Sequence, residues 1–529
     1  MLAACTANHR AISSKLAAIV SQEDVHRDGG RISTLIARLG LRRKLAAFFV
    51  AVLAGFCLGE PLATAEPAAK PNIVFLLADQ WRAKAIGYEG DPNVKTPSLD
   101  RLAEQSVNFR NTVSVCPVCT PYRAALMTGR FPTSTGMFLN DAYLPDAEVC
   151  LAEIFRQAGY ATAYIGKWHL DGHGRDSFVA PQRRQGWDYW KAAECDHNYL
   201  HSHYYEGDSD QKRFWDGYDA FAQTRSAQAY LRRHARGDQP FVLVVSYGIP
   251  HFPHHTALQK YKDLYPPEKI QLPPNVPREL QEEARREAQG YYAHCTALDR
   301  CIGDLLATLQ ETGLAERTIL VFTSDHGEML GSHGGPPRMK QLPWDEAARV
   351  PFLLRYPAAH GPQGRVLKTP LTTPDILPTL LGLAGVAVLD TLQGEDLSGL
   401  VRGQPEPDDR AALYMAVAPF AGRGFNKEYR AIRTNRYTYV RGLEGPWLLF
   451  DDQNDPYQQD NLVGRPERAA LRSELDSRLQ AQLKKIGDDF RPAQYYIDAW
   501  GYKIAAHGSI SYAPGAAVQS PRRSAAYPH

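Results

Sequence analysis

The sequence predicts an α/β protein: a large, mostly parallel sheet sandwiched by helices, then a smaller C-terminal antiparallel sheet with one covering helix. Four apolar runs, Ile73 to Ala78, Ala161 to Ile165, Phe241 to Val245 and Thr318 to Phe322, have the length of buried strands, and each leads into polar residues. Helical patterns lie between them, which implies parallel pairing and ligands bound outside the carboxyl ends of the strands. Beyond Gly403 the pattern changes to short, closely spaced strands, as antiparallel sheets give.

At 529 residues the chain exceeds what one core usually holds, so a large domain with a smaller companion is expected. Residues 1–66 read as an N-terminal extension and export signal. Arg42, Arg43 and Lys44 precede the apolar run Leu45 to Leu58, and Ala63-Thr64-Ala65 supplies an A-x-A site with cleavage expected after Ala65. A run of roughly 14 residues is short of the about 20 that span a bilayer, so no stable membrane span is expected in the mature chain. Arg42-Arg43 also fits a twin-arginine signal. About forty residues precede this signal, as an upstream start codon would give. The expected location is exported, periplasmic or secreted.

Residues 67–403 read as the large domain. Ile73 to Ala78 ends in Asp79-Gln80; Thr96-Pro97, a capping residue with proline at the first helical position, opens a helix expected to reach Phe109. Ala161 to Ile165 leads into Gly166-Lys167-Trp168-His169, and Phe241 to Val245 points towards His251. A long helix is expected from Gln281 to Leu309, a strand from Thr318 to Phe322 that delivers Asp325-His326, and another over Val350 to Arg355. Gly403 to Arg410, rich in Pro and Asp, links to residues 404–492: strands at Ala412–Ala416, Tyr429–Thr434, Tyr437–Arg441 and Trp447–Phe450, then a helix over Pro466–Lys485. Residues 493–529 read as a tail whose last stretch is expected to fray.

Sixty Lys+Arg against 58 Asp+Glu leave a net charge of +2, which argues against nucleic-acid partners and a polybasic membrane surface. Any pull on an anionic substrate must come from a few cations converging on one pocket. Of eight cysteines, Cys5 and Cys57 would leave with the signal; six in so large a chain do not form a disulfide scaffold.

The densest chemical signal is Cys119-Thr120-Pro121-Tyr122-Arg123, followed by Thr128-Gly129. Proline suits a helix start, so Cys119 is expected just before a helix whose free N–H groups face an anion. The alternative, Cys116-Pro117-Val118-Cys119 as a redox or zinc C-x-x-C pair, lacks a thioredoxin-like context or a second ligand pair. The run matches C-x-P-x-R followed by T-G, and the chain from Pro71 to Leu483 resembles the type I sulfatases, of the alkaline phosphatase-like superfamily. That resemblance implies a sulfuric ester hydrolase in which Cys119 is oxidised to formylglycine (3-oxoalanine) by a formylglycine-generating enzyme, with Arg123 steadying the aldehyde hydrate.

The resemblance also implies a metal site from Asp79, Gln80, Asp325 and His326, with position 119 as a further ligand. Oxygen donors suit a hard cation, and Ca2+ is expected, with Mn2+ or Mg2+ as alternatives because histidine is a softer donor. Two departures stand out: the common sulfatase pair is Asp-Asp where this chain has Asp79-Gln80, and His326 stands where some members use Asn. Lys167-Trp168-His169 reproduces the family's K-x-H element, His251 resembles the histidine near the leaving oxygen, and Lys340 the second sulfate-binding lysine. Alone, each would read as a solvated lysine or a hydrogen-bonded histidine, as His254, His255 and His333 do.

The implied mechanism has one hydroxyl of the hydrate, deprotonated with help from Asp325, attack sulfur while Arg123, Lys167, Lys340 and the metal hold the sulfate oxygens. His251 protonates the departing alcohol. Proton loss from the second hydroxyl, to His169, then expels sulfate. The ring-rich stretch Cys195 to Tyr205 suits sugar faces, and His197, His201, His203 and Tyr204 are the candidate substrate contacts; a zinc site from the three histidines is the weaker alternative. The expected substrate is a sulfated carbohydrate. Two other functions stay open: a phosphonate monoester or phosphodiester hydrolase using the same site, which Gln80 and His326 favour, and a non-catalytic protein that binds sulfated glycans.

Overall fold

A computed structural model describes residues 70–420, 426–505 and 508–510; the segment expected to direct export lies outside these residues. In chain order the first strands are β1 (Asn72–Asp79), β2 (Val107–Phe109), β3 (Thr112–Val113), β4 (Ala161–Lys167), β5 (Tyr189–Ala193), β6 (His203–Glu206), β7 (Arg213–Phe214) and β8 (Phe241–Pro250). They are followed by β9 (Thr318–Ser324), β10 (Phe352–Arg355), β11 (Arg365–Leu367), β12 (Leu371–Thr372), β13 (Ala412–Ala416), β14 (Tyr429–Arg433), β15 (Tyr437–Gly442) and β16 (Gly445–Asp451).

Ten of these strands form one sheet in the order β11-β2-β10-β9-β1-β8-β4-β5-β6-β7. Its centre, β9-β1-β8-β4-β5, is parallel. Every residue of β1 is buried, as an apolar strand covered on both faces must be. Its side chains alternate: Ile73, Phe75 and Leu77 enter one core, Val74, Leu76 and Ala78 the other. Helix Cys119–Thr128 belongs to the first layer and Gln281–Glu311 to the second.

The predicted strands and the fold class recur in the structure, with three local differences. The helix opened by Pro97 stops at Ala103, and Val107–Phe109 is strand β2 instead, because its β-branched and aromatic residues fill a buried slot between β10 and β11. Strand β10 runs antiparallel to β9, since the connection from one to the other returns across the carboxyl end rather than through a crossover helix. Helix Ala493–Ala499 was not foreseen; its Tyr496 packs edge-on against Phe138, as does Tyr502 just beyond.

Strands β13 to β16 form the antiparallel sheet, covered by helix Ala469–Ile486. It is stitched to the segments around β3 and β12 where Met415 N donates to Val115 O at 2.8 Å and Thr372 Oγ1 to Leu413 O at 2.8 Å. Arg430 on β14 is fully buried and forms an ion pair with the equally buried Asp488, at 2.6 Å, which also accepts from Tyr496. Removing one partner strands a charge in a dry site. Asp488→Ala is expected to cost about 3–5 kcal/mol, read as a lower midpoint in denaturant unfolding, with the specific activity of the folded fraction unchanged.

Candidate active site

The polar residues at the strand ends converge. Gly166 allows this locally: at φ +102° it lies so close to β8 that an added Cβ would fall 2.0 Å from Ser246 O, and only glycine lets β4 deliver Lys167 there. Lys167 Nζ donates to Asp79 Oδ2 at 2.6 Å. Asp325 Oδ1 accepts from the backbone of Gln80 at 3.0 Å and of His326 at 2.9 Å, tying the ends of β1 and β9 together.

Cys119 is the first residue of helix Cys119–Thr128, behind an extended Val118, and Thr120 N is capped by Asn140 Oδ1 at 3.0 Å. Four residues on, Arg123 is fully buried. It donates through one nitrogen to Lys167 O (3.0 Å) and Ser246 Oγ (2.7 Å), and through the other to Asp79 Oδ2 (3.2 Å) and Asp325 Oδ2 (3.0 Å). Its terminal nitrogens bond protein oxygens, which makes Arg123 a brace of the site, and its buried Nε has no hydrogen-bond partner.

Asp79, Cys119, Asp325 and His326 offer four donor atoms within 4.8 Å of one another, all buried. His326 Nδ1 lies 3.0 Å from the Gly327 carbonyl, which can only accept, so Nε2 presents its lone pair to the cluster, 3.7 Å from Asp79 and 3.6 Å from Asp325. Burial and the Asp79 charge push the Asp325 carboxyl up, while burial and the Cys119 thiolate are outweighed at Asp79 by Lys167 and Arg123, which hold it low. Two facing carboxylates with a histidine lone pair are a donor set that a divalent cation relieves. Gln80, at φ 65°, donates its amide to buried Glu328 and turns Oε1 to the site, where Lys340 reaches it at 3.3 Å.

Around the thiol, Lys340 Nζ lies 3.4 Å from Cys119 Sγ and 2.8 Å from His251 Nε2. His251 Nδ1 is 2.6 Å from Phe252 O and so carries the ring proton; burial and the Lys340 charge keep this ring neutral. Burial alone would raise the Cys119 thiol, but Lys167, Lys340 and His326 pull it well below its ordinary range. Cys116 differs: burial pushes its thiol up to about 12, and it packs in the core, so no C-x-x-C pair forms. His169 Nε2 lies 2.6 Å from Asp141, itself held by Arg175 at 3.0 Å, while His169 Nδ1 is buried without a hydrogen-bond partner.

Of the ring-rich stretch, only His197 reaches this cluster, stacked on His251 at 4.2 Å. The other three candidate substrate contacts are engaged elsewhere. His203 sits between Asp196 (2.6 Å) and Asp176 (3.2 Å), His201 stacks on exposed Phe214, and Tyr204, on the opposite face of β6 from His203, packs on Trp215. Among the described residues His197, His201 and His203 form no ligand group for zinc. Sequence reasoning missed Asp141, Arg175, Ser246 and Glu328. Only Glu328 carried a local signal, a charge three residues past Asp325 at a buried strand end.

The family profile described as Sulfatase matches residues 71–386, more than half the chain, and the one described as N-sulphoglucosamine sulphohydrolase, C-terminal, matches residues 338–485. An ulvan-active sulfatase of Formosa agariphila is 54% identical, covering 83% of this chain and 85% of its own length. An endo-4-O-sulfatase of Bacteroides thetaiotaomicron is 30% identical over 84% and 97%. The crystal structure of the yidJ protein of Bacteroides fragilis superposes with a TM-score of 0.73 at 30% identity, covering 83% of this chain and all of that one.

Glu328 is expected to act by orienting Gln80. Glu328→Ala should weaken divalent-metal binding about 10–100-fold, the usual range for losing such a supporting contact, as read by calorimetric titration of Ca2+.

Proposed function

This chain belongs to the sulfatase family and is a sulfuric ester hydrolase, and we propose that it desulfates carbohydrate sulfate esters through a formylglycine made from Cys119. The observation that carries the reading is the company kept by position 119: Lys340 at 3.4 Å, His326 Nε2 at 3.3 Å and Asp79 at 3.7 Å. The carbohydrate part is supported by the ulvan-active and endo-4-O-sulfatase relatives. Export through residues 42–65 belongs to the same reading, since a polymeric glycan is met outside the cytoplasm.

Asp79, Gln80, Asp325 and His326 would hold the metal, calcium in our reading, which would draw charge from a sulfate oxygen. The modified residue would supply an attacking hydroxyl and a second hydroxyl whose ionisation expels sulfate. His169 suits that side chain, because its buried Nδ1 lacks a partner and faces position 119.

Lys167 and Lys340 flank the reacting group and oppose the negative charge that shifts onto sulfate oxygens; in a dry pocket such charges count far more than in water. The neutral His251 accepts from Lys340, so a proton can pass along this pair to the leaving oxygen, and His197, stacked above, keeps the His251 ring in place. Asp141 and Arg175 fix His169 to receive a proton from position 119. Asp325 contributes mainly as a ligand, since both oxygens already accept hydrogen bonds.

Gln80 favours a second reading, a phosphonate monoester or phosphodiester hydrolase, by removing one negative charge. Matched 4-nitrophenyl sulfate and 4-nitrophenyl phosphonate esters decide between them: kcat/KM is expected to be larger for the sulfate, and a strong phosphonate preference would overturn the proposal. For the proton pathway, His251→Ala should lower kcat about 10²–10⁴-fold on a sugar sulfate and far less on the 4-nitrophenyl ester, whose phenolate leaves without a proton. Equal losses on both would contradict this role.

A further inference from the structure

A second cavity, a cleft of about 670 Å³, opens between the Glu89–Asn93 turn, the Gln271–Pro274 loop and the Asp452–Tyr457 loop. That volume is typical of ligand sites and larger than one sugar ring. None of Asp79, Cys119, Lys167, His251 or Lys340 lines it. Yet it begins close by: Arg82, on its wall, is two residues past Gln80, and Tyr291 joins the two by accepting from Arg82 N (3.0 Å) and donating to Gln80 O (2.9 Å).

The cleft wall holds cations that form no ion pair among the described residues. The Arg82 side chain is only 3% exposed, its Nε and Nη1 have no hydrogen-bond partner, and no ion pair to it forms among the described residues. A buried, unbonded guanidinium is costly unless something else completes it. Glu346 and Asp91 lie near enough to favour its charge without bonding it, and the other wall carboxylates are taken: Asp345 is bound by Arg349 (2.9 Å) and Arg433 (2.5 Å), Asp452 by Arg433 (3.2 Å), and Glu89 by Arg349 (3.3 Å). Asp91 accepts from Tyr292 at 3.0 Å, and Glu346 from Asn275 at 2.8 Å. Among the described residues Lys84 and exposed Lys368 likewise form no ion pair, although Lys84 Nζ donates to Pro456 O. Lys84 Nζ sits 3.8 Å over the half-buried Tyr457 ring, placing a cation beside a flat apolar face.

An anion that brings a ring with it fits these walls. We propose that the cleft binds a charged sugar unit of the substrate chain other than the one losing its sulfate, with its carboxylate or sulfate held by Arg82 and Lys84 and its ring against Tyr457. This rests on the carbohydrate reading above and extends it: the cleft makes the enzyme prefer a polymer over a small ester.

The test compares the full-length enzyme with Lys84→Met, which keeps the packing, and with Lys84→Met/Lys368→Glu, using ulvan and 4-nitrophenyl sulfate. The double variant is expected to raise KM for ulvan about tenfold or more, the worth of one lost charged contact, while kcat/KM for the aryl ester stays within about twofold. Parallel losses on both substrates, or unchanged KM for ulvan, would overturn the cleft proposal. A wild-type enzyme that hydrolyses the aryl ester but does not desulfate ulvan would instead overturn the carbohydrate reading beneath it, and the proposal with it.

Discussion

One buried guanidinium holds the site in shape. Arg123 reaches from a helix on one face of the sheet to Asp79 at the end of β1, Asp325 beyond β9, Ser246 on β8 and the carbonyl of Lys167 at the end of β4. Four strands and the helix that begins with Cys119 are thereby fixed by one group. The bonds join an ion to two ions, all fully buried, and removing one partner of such a pair costs about 3–5 kcal/mol. The spacing of cysteine and arginine, one helical turn apart, follows: Cys119 and its brace share one face of one helix.

From that brace the electrostatics follow. Asp79 and Asp325 are like charges a few ångströms apart, offset by Arg123 and Lys167 and suited to be offset further by a divalent cation. Lys340 and Lys167 then add positive charge beside residue 119, so a chain with a net charge of only +2 concentrates its attraction for anions where the reaction occurs. Gln80 fits the same logic. Where a second carboxylate would add to the repulsion, a neutral amide offers an oxygen, with Glu328 behind it fixing which way that oxygen points.

Much of this was legible in the sequence, because the chemistry sits at strand ends and strands are local patterns. The C-x-P-x-R run, Asp79-Gln80, Lys167, His251 and Asp325-His326 each followed an apolar run or carried a short motif. What escaped had no local mark. Asp141 serves His169 from a loop 28 residues away, and Arg175 is recognisable only through Asp141. The ring-rich stretch misled because each ring's partner is set by tertiary packing: His197 stacks on His251, His201 on Phe214 and Tyr204 on Trp215, none of which composition could show. The early end of the Pro97 helix and the reversed direction of β10 likewise depend on long-range pairing. The burial of Arg82 was also invisible, since an arginine in a sequence does not announce that it will lie buried without an ion pair.

The account stands or falls on what occupies position 119 in the active enzyme. Mass spectrometry of the peptide containing that residue, taken from protein that turns over a sulfate ester, is expected to show loss of sulfur and two hydrogens with gain of one oxygen relative to cysteine. An unmodified thiol at residue 119 in fully active protein would contradict it.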